Sequence, residues 1–408
     1  RPYRLLATDS LLFFQTGSGD LWCTDGTQDG TRLRMPFRGG DGESSLISLM
    51  EWGDMLLFGI NDRTAGPALW RMPIADGPAE RIVQFSSREA FSNFWLTDAG
   101  AFVLFMLNDG NDRTELWRTD GTTPDTRLIT RLPETNAFED FGFTVLDSTV
   151  YFQATDSLHG SELWKTDGTA GGTALLADIL PGAESSDPGV FTVSDGLLYF
   201  VADDGVHGKE LWVSDGTTEG TQLLADINPG AGDSRPYPIT PIDGYLYLSA
   251  DDGVAGMEPF RSDGTPEGTQ RIADIREGNG SSPSQYFAIG EGIVCVANDG
   301  GGNELWMLDP AGLESPKPVR DISPLGGSFP MNLVEMKGLL YFTATDGFHG
   351  RELWRSDGTE SGTWMVSDLI PGQASSSPGE LTPFRGWLFF TATDSTVGQE
   401  LRMLAPLE

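Results

Sequence analysis

A chain of 408 residues with 26 Lys and Arg against 60 Asp and Glu carries a formal charge of −34. That balance argues against nucleic acid and anionic membrane surfaces as partners, since both need a basic footprint. Eleven Trp and 23 Phe are too many for a disordered acidic chain, and no run of 18 apolar residues occurs to form a spanning helix.

In chain order, one unit is written nine times. Its aromatic mark falls at Trp22, Trp70, Trp117, Trp164, Trp212, Phe260, Trp306 and Trp354, then at Arg402, in steps of 46 to 48 residues. Spacing this regular excludes a two-domain reading and means one array of similar units. The units run approximately 1–37, 44–86, 91–133, 139–180, 188–228, 236–276, 284–323, 330–370 and 379–408. In the fifth, branched and aromatic runs predict strands at 190–193, 197–202, 210–213 and 222–227. The turn Ser194-Asp195-Gly196, the Gly-containing loop 203–209 and the tight connection 215–221 separate them. No stretch has a sustained helical period.

Four antiparallel strands repeated about every 40–50 residues mark a β-propeller. Leu211 and Trp212 are adjacent in the third strand, so they point to opposite faces, and both are apolar. That fits a blade buried on both sides. The expected fold is therefore all-β: a single propeller over 1–408 of four-stranded antiparallel blades, with nine blades favoured and eight as the alternative. The last blade is incomplete in sequence, because only a third-strand copy, Glu400-Leu401-Arg402, precedes the final residues. Arg1 and Pro2 are too few to supply a closing strand. A chain beginning at Arg1 with no signal sequence reads as a processed or excised segment of something longer.

The string Glu162-Leu163-Trp164-Lys165-Thr166-Asp167-Gly168-Thr169 returns at 210–217 and at 352–359 with small changes. It resembles the ELWxxDGT repeat family of bacterial proteins. The match covers nearly the whole chain, with departures at Ala68-Leu69-Trp70, Glu258-Pro259-Phe260, Asp309-Pro310-Ala311-Gly312 and Glu400-Leu401. The resemblance implies an exported bacterial surface protein, secreted or held at the cell surface and often part of a larger chain, whose motif defines no activity. The Asp-Gly-Thr turn is also similar to the Asp-box of sialidases, which lies away from their active site.

Three polar sets recur. The first is the Asp-Gly-Thr turn at Asp25, Asp120, Asp167, Asp215, Asp263 and Asp357, where Asp accepts backbone N–H bonds and Gly supplies positive φ. The second is the loop between strands two and three: Asp156 to Glu162, Asp204 to Glu210 and Asp346 to Glu352. It holds all three histidines, His159, His207 and His349, at one position. A metal ligand or general base is one reading. Loop packing is the other, favoured because Ala255 and Val397 replace His in other units. The third set ends the fourth strand at Asp178, Asp226, Asp274, Asp321 and Asp368. Strand direction places the second and third sets at the same end of each blade. Asp156, Glu162, Asp178, Asp204, Glu210, Asp226, Asp346, Glu352 and Asp368 are accordingly candidate calcium ligands, hard oxygens of the kind calcium takes. Turn capping is the alternative.

Recurring residues with ring-building roles point to a non-catalytic binding, adhesion or scaffold module, monomeric, whose loop face meets a protein or glycan at the cell surface. Trp52, Trp95 and Trp387 either stack on sugar rings or belong to the core. The alternative is a glycan-active hydrolase or lyase, for which the irregular early units offer Asp62, Arg63, Asp112 and Arg113. A purely structural spacer ring is the third reading. Cys23 and Cys295 belong to units one and seven, too far apart in such an array for a disulfide.

Overall fold

A computed structural model describes residues 2–37, 44–62, 65–85, 95–108, 114–132 and 142–405. Every regular element among these is a β-strand, and the strands form nine antiparallel sheets. Eight sheets have four strands in sequence order and the ninth has three, which is the nine-bladed β-propeller fold with an incomplete last blade. The eight-blade alternative is thereby set aside. Blade four is typical, with strands Thr144–Leu146, Thr149–Asp156, Gly160–Thr166 and Ala174–Ala177. Blade nine has Gly379–Phe384, Trp387–Asp394 and Gly398–Leu404 only. Among the described residues no helix is long and apolar enough to cross a membrane.

By contact density the chain forms two compact units. One comprises Arg1–Gly17, Trp22–Arg32 and Ile227–Glu408, and so contains blades six to nine with most of blade one. The other comprises Ser18–Leu21 and Leu33–Asp226, with blades two to five.

Within each unit the core lies between successive blades. Strand two alternates its side chains, so that in blade five Leu198, Phe200 and Ala202 face blade four. There they meet Leu146, Tyr151, Leu163 and Leu176, with Trp212 beside them. Leu163, Leu198 and Phe200 are fully buried, and each such side chain stabilises by roughly 1.5–3 kcal/mol relative to exposure. Leu211 and Trp212 are both buried, as adjacent apolar residues in a two-faced strand require. A bulge recurs where strand four meets the Leu-Trp pair: Leu163 pairs with Ala177 and Trp164 with Leu175, leaving Leu176 as the extra residue, turned into the core. In the first unit, blade one packs beside blade nine, Leu12 lying against Phe384 and Phe389.

Turn chemistry sets the strand ends. The hairpin of strands one and two in blade five holds Asp195 at φ 49° and Gly196 at φ 76°, the two left-handed residues of a tight hairpin turn. At the hairpin of strands three and four in blade four, Gly168 has φ 81°, and a Cβ there would lie 2.6 Å from the Phe102 ring of the preceding blade. A second link joins blades at the same end. The residue after the repeat's Trp reaches the next blade's turn: Arg71 donates to the Gly121 carbonyl at 2.9 Å, Arg118 to Gly168 at 3.3 Å and Lys165 to Gly216 at 3.0 Å. Arg261 reaches the Pro310 carbonyl in the same way. In blade one the position is Cys23, and Arg34 of strand four takes over, donating to the carbonyls of Pro73, Ile74 and Ala75. Cys23 and Cys295 are free and buried.

The expected strand 222–227 stops at Ala225. Blade four shows why such strands end early: the Ile179 N–H, two residues past Ala177, bonds to the Glu162 side chain instead of continuing the ladder.

Candidate functional site

Each blade has two ends. The Asp-Gly-Thr turn and the first hairpin occupy one, and the loop between strands two and three shares the other with the inter-blade connection. The Asp-Gly-Thr end is committed to structure. Asp167 Oδ1 accepts from the Thr169 amide at 2.9 Å and the Thr169 hydroxyl at 2.7 Å, and the same pair of bonds forms at Asp25, Asp120, Asp215, Asp263 and Asp357. The Thr hydroxyl, then the Thr amide, holds Asp167 and Asp357 below the usual carboxylate range.

The opposite end carries the second and third sets. In blade four, Asp156 Oδ1 accepts from the amides of Leu158 (2.8 Å) and His159 (2.7 Å), while Oδ2 meets His159 Nδ1 at 2.8 Å. Asp204 with His207 and Asp346 with His349 repeat this, at 2.8 and 2.6 Å. Burial pushes Asp156 upward, but the His159 side chain and the loop amides outweigh it and leave the carboxyl below its usual range. The Asp156 hydrogen bond holds His159 above the ordinary imidazole value, and the charges of Asp178 and Glu162 add to it. The second and third sets are thus electrostatic neighbours, as strand direction predicts. The histidine position is used for loop pairing. In blade six, where Ala255 replaces the histidine, Asp252 keeps the amide bonds to Val254 and Ala255 and its other oxygen pairs with Arg271 of the fourth strand at 3.0 Å.

The repeat's Glu has a separate task. Glu162 is fully buried and accepts from the amides of Ile179, Leu180 and Ser186 and from the Ser186 hydroxyl at 2.6 Å. Glu258 receives Ile275, Arg276 and Ser281, Glu304 receives Ser328, and Glu352 receives Leu369 and Ser376. Glu210 is equally buried. Glu162, Glu258, Glu304 and Glu352 each pin the inter-blade loop by its N–H groups. Burial raises the carboxyls of Glu162, Glu258 and Glu304, against the lowering effect of the Ser hydroxyl. These serines are absent from the three recurring polar sets, although the sequence carries their signal: Ser186-Asp187-Pro188, Ser281-Ser282-Pro283, Ser328-Phe329-Pro330 and Ser376-Ser377-Pro378 recur 23 or 24 residues after the Glu.

Of the nine candidate calcium ligands, Asp156, Asp204, Asp346, Glu162 and Glu352 have side-chain oxygens occupied by N–H or O–H donors. Asp178 is exposed, and Asp226 and Asp368 are half-buried. Calcium takes six to eight oxygens, and among the described residues no group of three or more His, Cys, Asp or Glu side chains converges to hold an ion. The carboxylates of the second set fit the alternative reading, caps for loops.

Of the aromatic candidates, Trp52 packs in the core between blades two and three, Trp95 is exposed and Trp387 is partly exposed. Arg63, Asp112 and Arg113 lie outside the described residues, as does the side chain of Asp62. The loop end displays apolar side chains to solvent. Leu158, Val206, Val254 and Phe348 occupy one position, two residues after the loop Asp, and are 72%, 62%, 83% and 55% exposed.

No family model matches the chain, and no curated protein matches it. Among solved structures it is similar to a prolyl endopeptidase studied for inter-domain dynamics in catalysis and specificity, at 11% identity over 97% of this chain and 54% of that one, with a TM-score of 0.50. It is also similar to prolyl oligopeptidase B from Galerina marginata, at 12% identity, 97% and 56% coverage and a TM-score of 0.47. For puromycin hydrolase the values are 14%, 85%, 58% and 0.43. The chain spans little more than half the length of these proteins, and at such identities the likeness shows the fold alone.

Proposed function

We propose that the chain is a non-catalytic binding or scaffold module of an exported bacterial surface protein of the ELWxxDGT repeat type. It acts as a monomer and meets a protein or glycan partner through its strand two–three and inter-blade loops. One observation carries this reading. At that end of the blades Asp156, Asp204, Asp252 and Asp346 are engaged inside their loops, while Leu158, Val206, Val254 and Phe348 are held out to solvent by the turns those residues build. Scattered exposed apolar residues are ordinary, but a repeated exposed position on a rigid turn is a display.

The test replaces all four by Ser and compares capture by bacterial envelope fractions and glycan arrays with that of the parent chain. Each residue is exposed, so melting should stay close to that of the parent. Capture is expected to fall at least tenfold. Equal capture by the quadruple variant, or none by the well-folded parent, ends the proposal.

A further inference from the structure

In blades four, five, six, eight and nine the first hairpin closes through a two-residue turn whose first residue is left-handed and not Gly. In blades four, five and six that residue is Asp147, Asp195 and Asp243, at φ 56°, 49° and 50°. In blades eight and nine it is Lys337 and Arg385, at φ 56° and 49°. Left-handed backbone suits Asp, whose short side chain bonds locally, and offers nothing to a long cation. The turn itself therefore gives no reason for the change. Two adjacent blades that break a local rule in the same way point to a task outside the fold.

The two cations are brought to one place. The Lys337 side chain lies across the next hairpin, so that a Cβ on Gly386 would stand 3.0 Å from its Nζ and 3.3 Å from its Cε. Gly386 separates Arg385 from Trp387. The Arg385 guanidinium carbon sits 5.5 Å from the centre of the Phe384 ring. Both cations are exposed, and among the described residues neither closes an ion pair, although the chain has 60 Asp and Glu for 26 Lys and Arg. The acids beside them are engaged in their own turns. Glu335 Oε1 accepts from the Gly338 amide at 2.6 Å, and Asp25 Oδ1 of blade one accepts from the Thr27 amide and hydroxyl. Trp387 is 37% exposed, the same as Tyr245 at that position of the four-stranded blade six.

We propose that Lys337, Arg385 and Trp387 bind a carboxylated sugar of an acidic polysaccharide. The carboxylate lies between the ammonium and the guanidinium fork, whose planar N–H donors match it. The sugar ring rests on the open part of Trp387, a platform with an apolar body and a wet edge, which is why the occupant is a saccharide and not an acidic peptide. At physiological ionic strength the Debye length is about 8 Å, so a carboxylate in contact with this pair is governed by the pair and not by the net charge of −34. The site lies at the opposite end of the blades from the apolar display and does not depend on it.

The probe is tetragalacturonate, with its methyl ester and tetraglutamate as controls, titrated calorimetrically into the full 408-residue chain at physiological salt. Saturable binding of tetragalacturonate is expected, and none of the ester. Lys337→Asp and Arg385→Asp introduce the residue that the turn carries in blades four to six, so melting should match or exceed that of the parent. Each should weaken binding about tenfold, as loss of a hydrogen bond to a charged group does, and the double variant should abolish it. Trp387→Leu, matching Leu197 and Leu339 at this register, should weaken tetragalacturonate about fivefold. The proposal is overturned by any of four results: no saturable binding, equal binding of the methyl ester, a double Asp variant that melts and binds like the parent, or tetraglutamate bound as tightly as tetragalacturonate, which would make this a site for acidic peptides.

Discussion

Blades eight and nine are neighbours built on the same register, and they part company beyond the third strand. In blade eight, Glu352 is buried and receives the Leu369 and Ser376 amides and the Ser376 hydroxyl. Asp357 closes the turn, and Arg355 stacks on Trp364 of the fourth strand with its guanidinium carbon 4.5 Å from the ring centre. In blade nine the Glu is exposed, the turn motif is missing, and Arg402 stands where Trp354 does, bonded to Asp394 of its own loop. The comparison teaches that the repeat's acids are not a uniform charged surface. The same Glu is a structural anchor where a loop packs over it and a solvated carboxylate where none does.

The sharpest way to break this comparison is to remove the Glu in each blade. Glu352→Ala leaves two buried donors on Ser376 without their acceptor, and each such loss costs roughly 1–3 kcal/mol, so a total near 3 kcal/mol is expected. Glu400→Ala should change stability by no more than about 0.5 kcal/mol. Denaturant unfolding of both variants checks the difference, and equal effects would remove the distinction between anchor and surface group.

A smaller contrast lies in the turn glycines. Gly168→Ala places a methyl carbon 2.6 Å from the Phe102 ring at φ 81°, whereas Gly26→Ala, at φ 97°, meets Phe389 at an ordinary 3.7 Å. Left-handed backbone penalises both by roughly 1–2 kcal/mol. Overpacking adds about 1–3 kcal/mol at Gly168 only. Melting curves should therefore rank Gly168→Ala below Gly26→Ala. The reverse order would mean that blade four yields at this turn more readily than blade one.

How much of this is legible in the sequence depends on the distance between partners. The strand order, the blade number and the missing ninth fourth strand come from a repeat of 46 to 48 residues, because each blade is built from local hairpins. The Asp-Gly-Thr turn is legible for the same reason, since Asp167 and Thr169 are two residues apart. Glu162 and Ser186 are 24 residues apart and meet only through the inter-blade loop. In sequence the carboxylates therefore read as a cluster in want of a cation, whereas the partners of Asp156, Asp346, Glu162 and Glu352 are loop amides with a His or Ser side chain. The position after Trp reads as variable because Lys165 aligns with Val213 and Cys23. Its task, reaching a carbonyl some 50 residues on in the next blade, emerges only when the blades are side by side. Chelation tests the calcium expectation directly. Thermal melting with and without a chelator is expected to coincide, and a drop of several degrees restored by calcium would show an ion that N–H donors do not replace.

Removing the turn acceptor of blade eight should have a milder effect. Asp357→Ala loses the bonds from the Thr359 amide and hydroxyl, and about 1 kcal/mol of stability is expected to go with them. Asp357→Asn keeps an acceptor oxygen and should recover most of the loss in urea unfolding at neutral pH. No recovery would show that the turn depends on the charge rather than on the bonds.

The smallest effect is a pH dependence that separates the two blades' loops. In blade eight, Asp346 pairs with His349, whose pKa is raised chiefly by that hydrogen bond. In blade nine, Asp394 pairs with Arg402 across the corresponding loop, and a guanidinium does not titrate near neutrality. A raised histidine contributes stability that is complete below its unfolded value of about 6.5 and is lost as pH rises through its folded value. Asp346 is lowered: burial opposes ionisation, but the His349 side chain and the loop amides outweigh it. Its contribution is present above an unfolded value near 3.9 and lost as pH falls through the folded one. The blade-eight pair is thus at full strength between about pH 4 and 6.5. Histidine resonances followed by NMR should give a His349 midpoint above about 6.5, and Asp346→Asn should return it toward the ordinary value. Amide exchange in loop 346–350 should quicken from about pH 6 to about pH 9 beyond its intrinsic rise, while loop 394–398 should follow the intrinsic rise alone. Parallel behaviour of the two loops would show that the histidine charge does not hold the blade-eight turn.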